Sequence, residues 1–445
     1  MPDPHQSIDF NRASTWTIRA KAVLDAAGCT LSPGQITIAT DTDSAGNRRN
    51  LRTLTVGPAV ESAETPVLEL PDSVLVPGFV NAHCHLDLTD IGPRPRPETG
   101  GFSAWLEVIR QSRPQDSAAI EAAVRRGIDL SLAGGVVAVG DIAGAVRTGP
   151  SLTPWRTLRD SPLGGTSFLE FFAIGKARET SLDRLAACLN EIGDDRFMLG
   201  LEPHAPYSVS RPAYQCALAL AEKFDLPLAT HLAETLDERL FTTTASGPQL
   251  AFLEELGIWD PDEARHLGAH PVEHLGSLLT SRPWLLAHVN DCPDDALDRL
   301  SATSCSVAFC PRAHTYFDSG TTLGPHRYRD MLTKGINVCL GTDSIVNLSA
   351  ESSDISTGGI STLDDARLLY QRDGTDPAAL LTMLTINGAR ALGLDETAFT
   401  FTPGRLLAGL VAIVTKTNTT DPLEAIFATE APPKLLAVCR PGPGF

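Results

Sequence analysis

The sequence is poor in positive charge and has no long apolar run. It carries 36 Lys and Arg residues against 54 Asp and Glu residues, a formal net charge of −18. Nucleic-acid backbones and anionic membranes both require clusters of basic side chains, so we expect neither as a partner. No apolar run approaches the roughly 20 residues that span a bilayer. Residues 1–11 lack the basic and apolar regions of a secretory signal, which favours a cytoplasmic location.

Paired cysteines and several catalytic motifs are also missing. The nine cysteines are scattered without a C-x-x-C pair, which is typical of free thiols in a reducing cytoplasm. The chain contains no H-E-x-x-H, P-C-x-x-C, G-x-x-x-x-G-K-[ST] or G-x-S-x-G sequence. These absences argue against zincin-type proteases, the small zinc deaminases, P-loop proteins and hydrolases with a nucleophile elbow.

What the sequence does contain begins with a histidine pair after a long apolar run. The run ends in Pro-Gly-Phe-Val-Asn-Ala-His-Cys-His, residues 77–85. Side chains alternate faces along a strand, so His83 and His85 lie on the same side. Histidine is the commonest metal ligand. A lone His-x-His pair more often only caps a strand, but further candidate ligands follow here along the chain.

The middle of the chain alternates short apolar strands with helical segments. Candidate strands are residues 74–82, 135–140, 168–174, 198–202, 228–230, 285–287, 306–309 and 337–340. Helical segments include residues 117–132, 182–192, 211–224 and 294–301. Eight strands alternating with helices are typical of a (β/α)8 barrel, although a doubly wound sheet alternates in the same way.

Polar side chains follow most of these strands, and their placement favours the barrel. They are His83 and His85, Asp141, His204, His231, His288 and Asp343. In a parallel barrel all carboxyl ends open onto one face, so these residues would converge around one metal ion. A doubly wound sheet would spread them along a line. Strand-like segments at both chain ends are predicted to pair in one small β domain, since chain ends commonly lie close together.

Five segments resemble motifs of the amidohydrolase superfamily, in the same order. They are residues 77–85, Pro-His-Ala-Pro-Tyr-Ser (203–208), Thr-His-Leu-Ala-Glu-Thr (230–235), Ala-His-Val-Asn (287–290) and Leu-Gly-Thr-Asp-Ser (340–344). The resemblance is to the branch of nucleobase and nucleoside deaminases and triazine hydrolases. It implies a (β/α)8 barrel over residues 74–402 and a β-sandwich built from residues 1–73 and 403–445. It also implies one divalent metal ion, zinc before iron or manganese. Homodimers are frequent in that family, and the sequence alone leaves open whether this chain forms one.

The resemblance also implies roles for individual residues. It assigns the metal to His83, His85, His231 and Asp343. Glu234 would carry a proton between water, a substrate ring nitrogen and the leaving group. The alternative for Glu234 is an acid favoured by the dipole of a helix first turn. His288 would orient or deprotonate the attacking water, and Asp343 would also hold the proton of that water.

Three further residues are predicted to contact a small-molecule substrate. His204 occupies a His-x-Pro-Tyr position that lies near the sugar in related nucleoside deaminases, and a structural turn histidine is the alternative. Arg312 and His314 follow the seventh strand and would face the same pocket, where an arginine can hold a carboxylate or phosphate. The histidines at 266, 270 and 274 are predicted to lie in a loop, because Pro271 interrupts their helical spacing.

These features predict a metal-dependent aminohydrolase that releases ammonia from an amino-substituted heterocycle. Within the family the chain is most similar to aminodeoxyfutalosine deaminases, followed by adenosylhomocysteine and related adenosine-type deaminases. A hydrolase of a cyclic amide or chloro-substituted ring is one alternative, and a non-catalytic metal-binding protein is another. The chain departs from the family after residue 344, where Ile-Val-Asn-Leu precedes a Ser-rich stretch, 349–361, that would influence the choice of substrate.

Overall fold

The computed structural model describes residues 8–42, 48–60, 65–348, 360–415 and 420–439. These residues contain fifteen strands: β1 (Thr15–Leu24), β2 (Thr30–Leu31), β3 (Gly34–Thr42), β4 (Arg48–Pro58), β5 (Val67–Pro77), β6 (Phe79–Cys84), β7 (Val136–Ala143), β8 (Gly164–Phe171), β9 (Leu199–Pro203), β10 (Ala229–Leu232), β11 (Leu285–His288), β12 (Ser306–Phe309), β13 (Asn337–Leu340), β14 (Gly409–Val414) and β15 (Pro433–Val438).

Sixteen α-helices lie in the same part of the chain: α1 (Gly101–Ser112), α2 (Ser117–Ala133), α3 (Thr153–Arg159), α4 (Arg178–Ile192), α5 (Arg211–Phe224), α6 (Leu236–Thr244), α7 (Pro248–Glu255), α8 (Pro271–Leu279), α9 (Asp294–Ser301), α10 (Pro311–Tyr316), α11 (Ser319–Leu323), α12 (Tyr328–Thr333), α13 (Thr362–Asp373), α14 (Pro377–Leu384), α15 (Ile386–Ala391) and α16 (Pro422–Ala428). Several begin at a residue that caps free amides, as Asp116 does for α2 and Thr235 for α6. Among these helices, none is long and apolar enough to cross a bilayer.

Strands from both ends of the chain lie in one seven-stranded sheet. Its order is β15-β14-β5-β1-β3-β4, with β2 paired to β1. Strand β5 is the junction, because it pairs in parallel with β1 and antiparallel with β14. The buried apolar side chains of this sheet form their own cluster, which includes Ile18, Ile36, Leu75 and Leu410.

Eight parallel strands lie in the larger of the two parts of the protein. They make two four-stranded sheets, β6-β7-β8-β9 and β10-β11-β12-β13. Single parallel bridges link the two sheets at both edges, between Cys84 and Asp343 and between Leu201 and Leu228. All eight strands therefore run in the same direction, and their carboxyl ends lie on the same side. The strands are buried along almost their whole length, as expected for parallel strands covered by helices.

The apolar run that was predicted as one strand, residues 74–82, is two strands in different sheets. Strand β5 ends at Pro77 and β6 begins at Phe79. Gly78 lies between them, where a Cβ atom would come within 2.5 Å of the Val137 side chain. Only glycine fits this close approach. At Gly78 the chain leaves the seven-stranded sheet and enters the parallel strands.

Two other predicted segments differ from the structure. The strand predicted over 168–174 is β8, which begins four residues earlier and ends at Phe171. The segment around His270 is not a loop, because Pro271 occupies the first position of α8 instead of interrupting a helix. His274 is buried inside that helix. Most of the Ser-rich stretch, residues 349–359, lies outside the described residues.

Candidate metal centre

Four histidine rings and one carboxylate meet at the carboxyl ends of the parallel strands. The ring centroid of His83 lies 5.2 Å from that of His85, 4.8 Å from that of His231 and 5.3 Å from that of His288. Asp343 joins them after β13, with its Oδ1 atom 3.4 Å from Nε2 of His85. The sequence placed these five residues at strand ends, and the structure brings all five together.

The donor atoms in this cluster fit a divalent metal ion. Ligand atoms of His83, His85 and His231 lie within 4.8 Å of one another, as do those of His83, His288 and Asp343. Burial lowers the pKa of His83 to about 4, so its imidazole is in the neutral form that binds metals. Its Nε2 atom is buried without a hydrogen-bond partner among the described residues. Imidazole and carboxylate groups together suit zinc, iron or manganese.

Asp343 is ionised in this cluster. Burial opposes its ionisation, but the imidazoles of His83 and His85, whose Nε2 atoms lie 3.7 and 3.4 Å from Oδ1, hold the pKa of Asp343 well below its usual range. Its second oxygen, Oδ2, accepts a hydrogen bond of 2.6 Å from Nδ2 of Asn347. The backbone of Asp343 lies in the left-handed region at a φ of 57°, and His288 does the same at 70°. Such strain is typical of residues whose position serves a site.

Glu234 presents a buried carboxyl group beside the cluster. Its Oε1 atom lies 3.6 Å from Nε2 of His288. Its backbone is held on both sides, because its amide donates to Glu238 and its carbonyl accepts from Asn290. Burial raises the pKa of Glu234 to about 8, so the group carries a proton near neutral pH. Burial also keeps His288 neutral, since it lowers the pKa of that imidazole well below its usual value.

The residues that hold these side chains in place were not predicted from the sequence. Oε1 of Glu202 lies 3.0 Å from Nδ1 of His231. Nε2 of His326 donates to the His288 carbonyl over 2.8 Å, since its other ring nitrogen accepts from the Tyr328 amide. Glu202 offered a sequence signal, because it stands two residues before His204 and so on the same strand face. Asn347 offered one too, as part of the departure noted after residue 344.

The cluster opens into a cavity of about 480 Å³. Apolar side chains of α1, α7 and the segment that follows α7 form one wall of this cavity. They are Phe102, Leu106, Ile109, Phe252, Leu253 and Ile258. Trp105, Tyr207 and Gln249 also line the cavity, and the polar atoms of their side chains are buried without hydrogen-bond partners among the described residues. Buried polar groups normally have a partner, so this arrangement suits a ligand that is both apolar and hydrogen-bonding.

His204 lines this cavity, and its contact with a substrate stays a prediction. Its Nδ1 atom is 2.6 Å from the Ser208 hydroxyl, and its Nε2 atom is 3.9 Å from Oε1 of Glu170. Burial lowers the pKa of His204 to about 3, so the ring is neutral. A neutral imidazole at this position can donate or accept a hydrogen bond.

Arg312 and His314 do not lie in this cavity, which corrects the expected position of both. Nε and Nη2 of Arg312 donate to Asp365 over 3.1 and 2.8 Å, and Nη2 also donates to the Ser361 carbonyl. His314 is buried near Phe309 and lines a separate cavity of about 900 Å³. Both residues belong to α10, so their directions follow that helix and not the strand before it.

Replacement of Arg312 by Met is expected to destabilise the protein without affecting substrate binding. Asp365 is fully buried and would lose its charged partner, a change that costs about 3–5 kcal/mol of unfolding free energy. Denaturant unfolding measures this loss, and the KM of the folded fraction measures substrate binding. A raised KM with an unchanged free energy of unfolding would instead show that Arg312 contacts the substrate.

The comparisons with known proteins agree with this geometry. The family model described as "Amidohydrolase family" matches residues 74–439. The aminodeoxyfutalosine deaminase of Deinococcus radiodurans is 29% identical over 388 residues, which cover 81% of this chain and 82% of that protein.

Two solved structures share the fold over nearly the whole chain. Helicobacter pylori aminofutalosine deaminase in complex with methylthio-coformycin has a TM-score of 0.73 and 20% identity, covering 94% of this chain and 97% of that chain. The atrazine chlorohydrolase of Arthrobacter aurescens, complexed with zinc, has a TM-score of 0.68 and 18% identity, covering 93% and 91%. The family match spans most of the sequence and includes every residue of the histidine–aspartate cluster. This chain belongs to the amidohydrolase family.

Proposed function

We propose that this protein is a metal-dependent aminohydrolase that releases ammonia from an adenine-type nucleoside. The observation that carries the proposal is the buried carboxyl of Glu234, which lies 3.6 Å from His288 and beside a cluster of metal-binding side chains. A deaminase needs an acid at this place, because the ring nitrogen beside the reacting carbon must be protonated. The deaminase activity named for the Deinococcus radiodurans relative supports the same reaction.

His83, His85, His231 and Asp343 would hold one divalent ion, with zinc as the first candidate. The neutral imidazole of His83, the ionised carboxylate of Asp343 and the closeness of the donor atoms support this set, and zinc is present in the chlorohydrolase of the same fold. When bound, such an ion supplies a Lewis acid that makes water a nucleophile near neutral pH.

The proposal requires the eight parallel strands to close into one (β/α)8 barrel over residues 74–402. Without closure, His83 and Asp343 would stand at edges of two separate sheets. The bridge between Cys84 and Asp343 supports closure on one side, and a 2.8 Å hydrogen bond from Asn81 to Thr342 lies beside it. Residues 1–73 and 403–445 would form most of the accompanying β-sandwich, and its seven-stranded sheet extends along β5 as far as Pro77.

In this reaction the side chains divide the proton transfers between them. Water adds to the amino-bearing ring carbon while Glu234 protonates the neighbouring ring nitrogen. His288, whose ring is neutral, and Asp343 orient the water and take its proton. The amino group then takes up the proton held by His288 and Asp343 and leaves as ammonia, while the hydroxyl proton returns to Glu234 and a carbonyl group remains on the ring.

The cavity favours a nucleoside over a free base. His204 and Tyr207 line the cavity, and the ring centroid of His204 lies 4.9 Å from that of His231, so both residues can contact a sugar attached to a base at the cluster. The apolar side chains of α1 and α7 beyond them suit a bulky 5′ substituent. Aminodeoxyfutalosine and adenosylhomocysteine are nucleosides with such substituents.

Ammonia release from a substrate panel tests the proposal. The panel contains aminodeoxyfutalosine, adenosylhomocysteine, methylthioadenosine, adenosine, adenine and cytosine, with protein of measured metal content. We expect one ammonia for each adenine-type nucleoside converted. If protein with one metal per chain releases none, the proposal is wrong. Chloride release from a chlorotriazine or opening of a cyclic amide would then identify another hydrolase, and no turnover at all would indicate a non-catalytic protein.

A further inference from the structure

We propose that Glu202 is a positioning residue that orients His231 for metal binding. The inference rests on the metal site proposed above. Glu202 is fully buried near the end of β9, and its Oε1 atom lies 3.0 Å from Nδ1 of His231. Both carboxylate oxygens are buried without a hydrogen-bond partner among the described residues, so this 3.0 Å approach to His231 is the polar contact that Glu202 has.

The surroundings of His231 determine which of its nitrogens faces the cluster. Besides Glu202, the carbonyl of His204 lies 3.3 Å from Nδ1 of His231. A carbonyl oxygen and a carboxylate only accept hydrogen bonds, so Nδ1 must carry the proton. The lone pair of Nε2 is then directed away from both acceptors and is available to a metal ion. A carboxylate behind a metal-binding histidine typically fixes the tautomer in this way and raises the basicity of the ligand.

The contact is built on rigid elements. Strands β9 and β10 lie side by side, because Leu201 bridges to Leu228 and the His231 amide donates to the His204 carbonyl over 2.8 Å. Glu202 and His231 therefore face each other from neighbouring strands, and neither belongs to a loop. A site held from strands keeps its geometry better than one held from loops.

Glu202 has no other evident role that would justify its burial. A buried carboxylate is costly unless it is paired. The buried guanidinium of Arg113 forms its ion pairs with Asp87 and Glu170, at 3.4 and 2.9 Å. That leaves the imidazole of His231 as the group that Glu202 contacts. An apolar side chain would fill the same space at lower cost if the contact had no function.

Metal affinity measured on two variants tests the role of Glu202. Glu202→Gln keeps the shape and an acceptor oxygen but removes the charge, and Glu202→Leu removes both. Metal-free protein is titrated with Zn²⁺ against a chromophoric chelator, and the visible spectrum is recorded with Co²⁺ in its place. We expect the Kd for Zn²⁺ to rise about tenfold in Glu202→Gln and about 100-fold in Glu202→Leu. The Co²⁺ spectrum at saturation should also change, which a loss of stability alone would not cause.

Asp365→Asn is the matched control. Asp365 is another fully buried carboxylate, but it binds Arg312 instead of a histidine. Its Kd for Zn²⁺ and its Co²⁺ spectrum should equal those of the wild type. If Glu202→Leu fails to fold, the nearly isosteric Glu202→Gln decides the question alone.

The outcomes separate this inference from the proposed metal site. Wild-type protein that binds no metal would refute the site itself. Wild-type protein that binds one metal per chain, together with Glu202→Gln that binds it equally tightly and gives the same Co²⁺ spectrum, would leave the site intact and overturn the role of Glu202.

Discussion

Glu234→Gln is expected to lower the rate of ammonia release about 10²- to 10⁴-fold and to leave the metal content unchanged. Glutamine has the size of glutamate, but it cannot deliver a proton to a ring nitrogen. Glu234 is placed for that task, since its carboxyl is protonated near neutral pH and lies 3.6 Å from His288. Without this proton the substrate ring is a poor electrophile, so the loss of rate should appear in kcat.

The measurement is single-turnover ammonia release, with metal analysis on the same samples. Glu263→Gln provides the matched control, because Glu263 is also buried but binds the Gly175 amide and Arg178 away from the cavity. Its rate should remain within a few-fold of the wild type. If Glu234→Gln also keeps its rate, another group carries the proton and the assignment of Glu234 is wrong.

Much of the fold could be predicted because its local signals agree with its packing. Strands β12 and β13 and helices α5 and α9 have the bounds that the sequence predicted. Each is a short apolar or amphipathic run with turn residues on both sides. The division of residues 74–82 could not be predicted, because a continuous apolar run does not show where hydrogen bonding passes from one sheet to another. That point depends on the contact between Gly78 and Val137, which lie far apart in sequence.

The candidate site also contains some residues that could be predicted from the sequence and others that could not. Histidines at strand ends could be found because all parallel strands end on the same face. The prediction that Arg312 faces the substrate cavity was wrong, because Arg312 is the second residue of α10. The direction of its side chain depends on that helix and on the ion pair with Asp365, which lies 53 residues away in sequence. Glu202 and Asn347 were missed because their roles arise from contacts with His231 and Asp343, which a sequence pattern does not display.

Asp343→Asn is expected to remove the metal and to lower ammonia release by about 10³-fold or more, since a metal ion contributes several kcal/mol to such a transition state. Both oxygens of the Asp343 carboxylate lie close to nitrogen atoms of other side chains. Oδ1 faces His85 and His83, and Oδ2 accepts a hydrogen bond from Asn347. An amide at this position must turn its NH₂ group toward one of these sides. Toward Asn347 it would meet another donor, and toward the histidines it would displace the only anionic ligand.

Metal per chain and ammonia release are measured before and after addition of excess Zn²⁺. Wild-type protein stripped with a chelator should regain its activity, whereas Asp343→Asn should not, because it lacks a ligand and not only the ion. Asp365→Asn should retain both metal and activity, which separates the loss of a ligand from the loss of a buried charge. Full metal content and activity in Asp343→Asn would mean that the three histidines suffice to hold the ion. The anionic charge at the end of β13 would then have no part in the reaction, and His288 alone would have to take the proton from the attacking water.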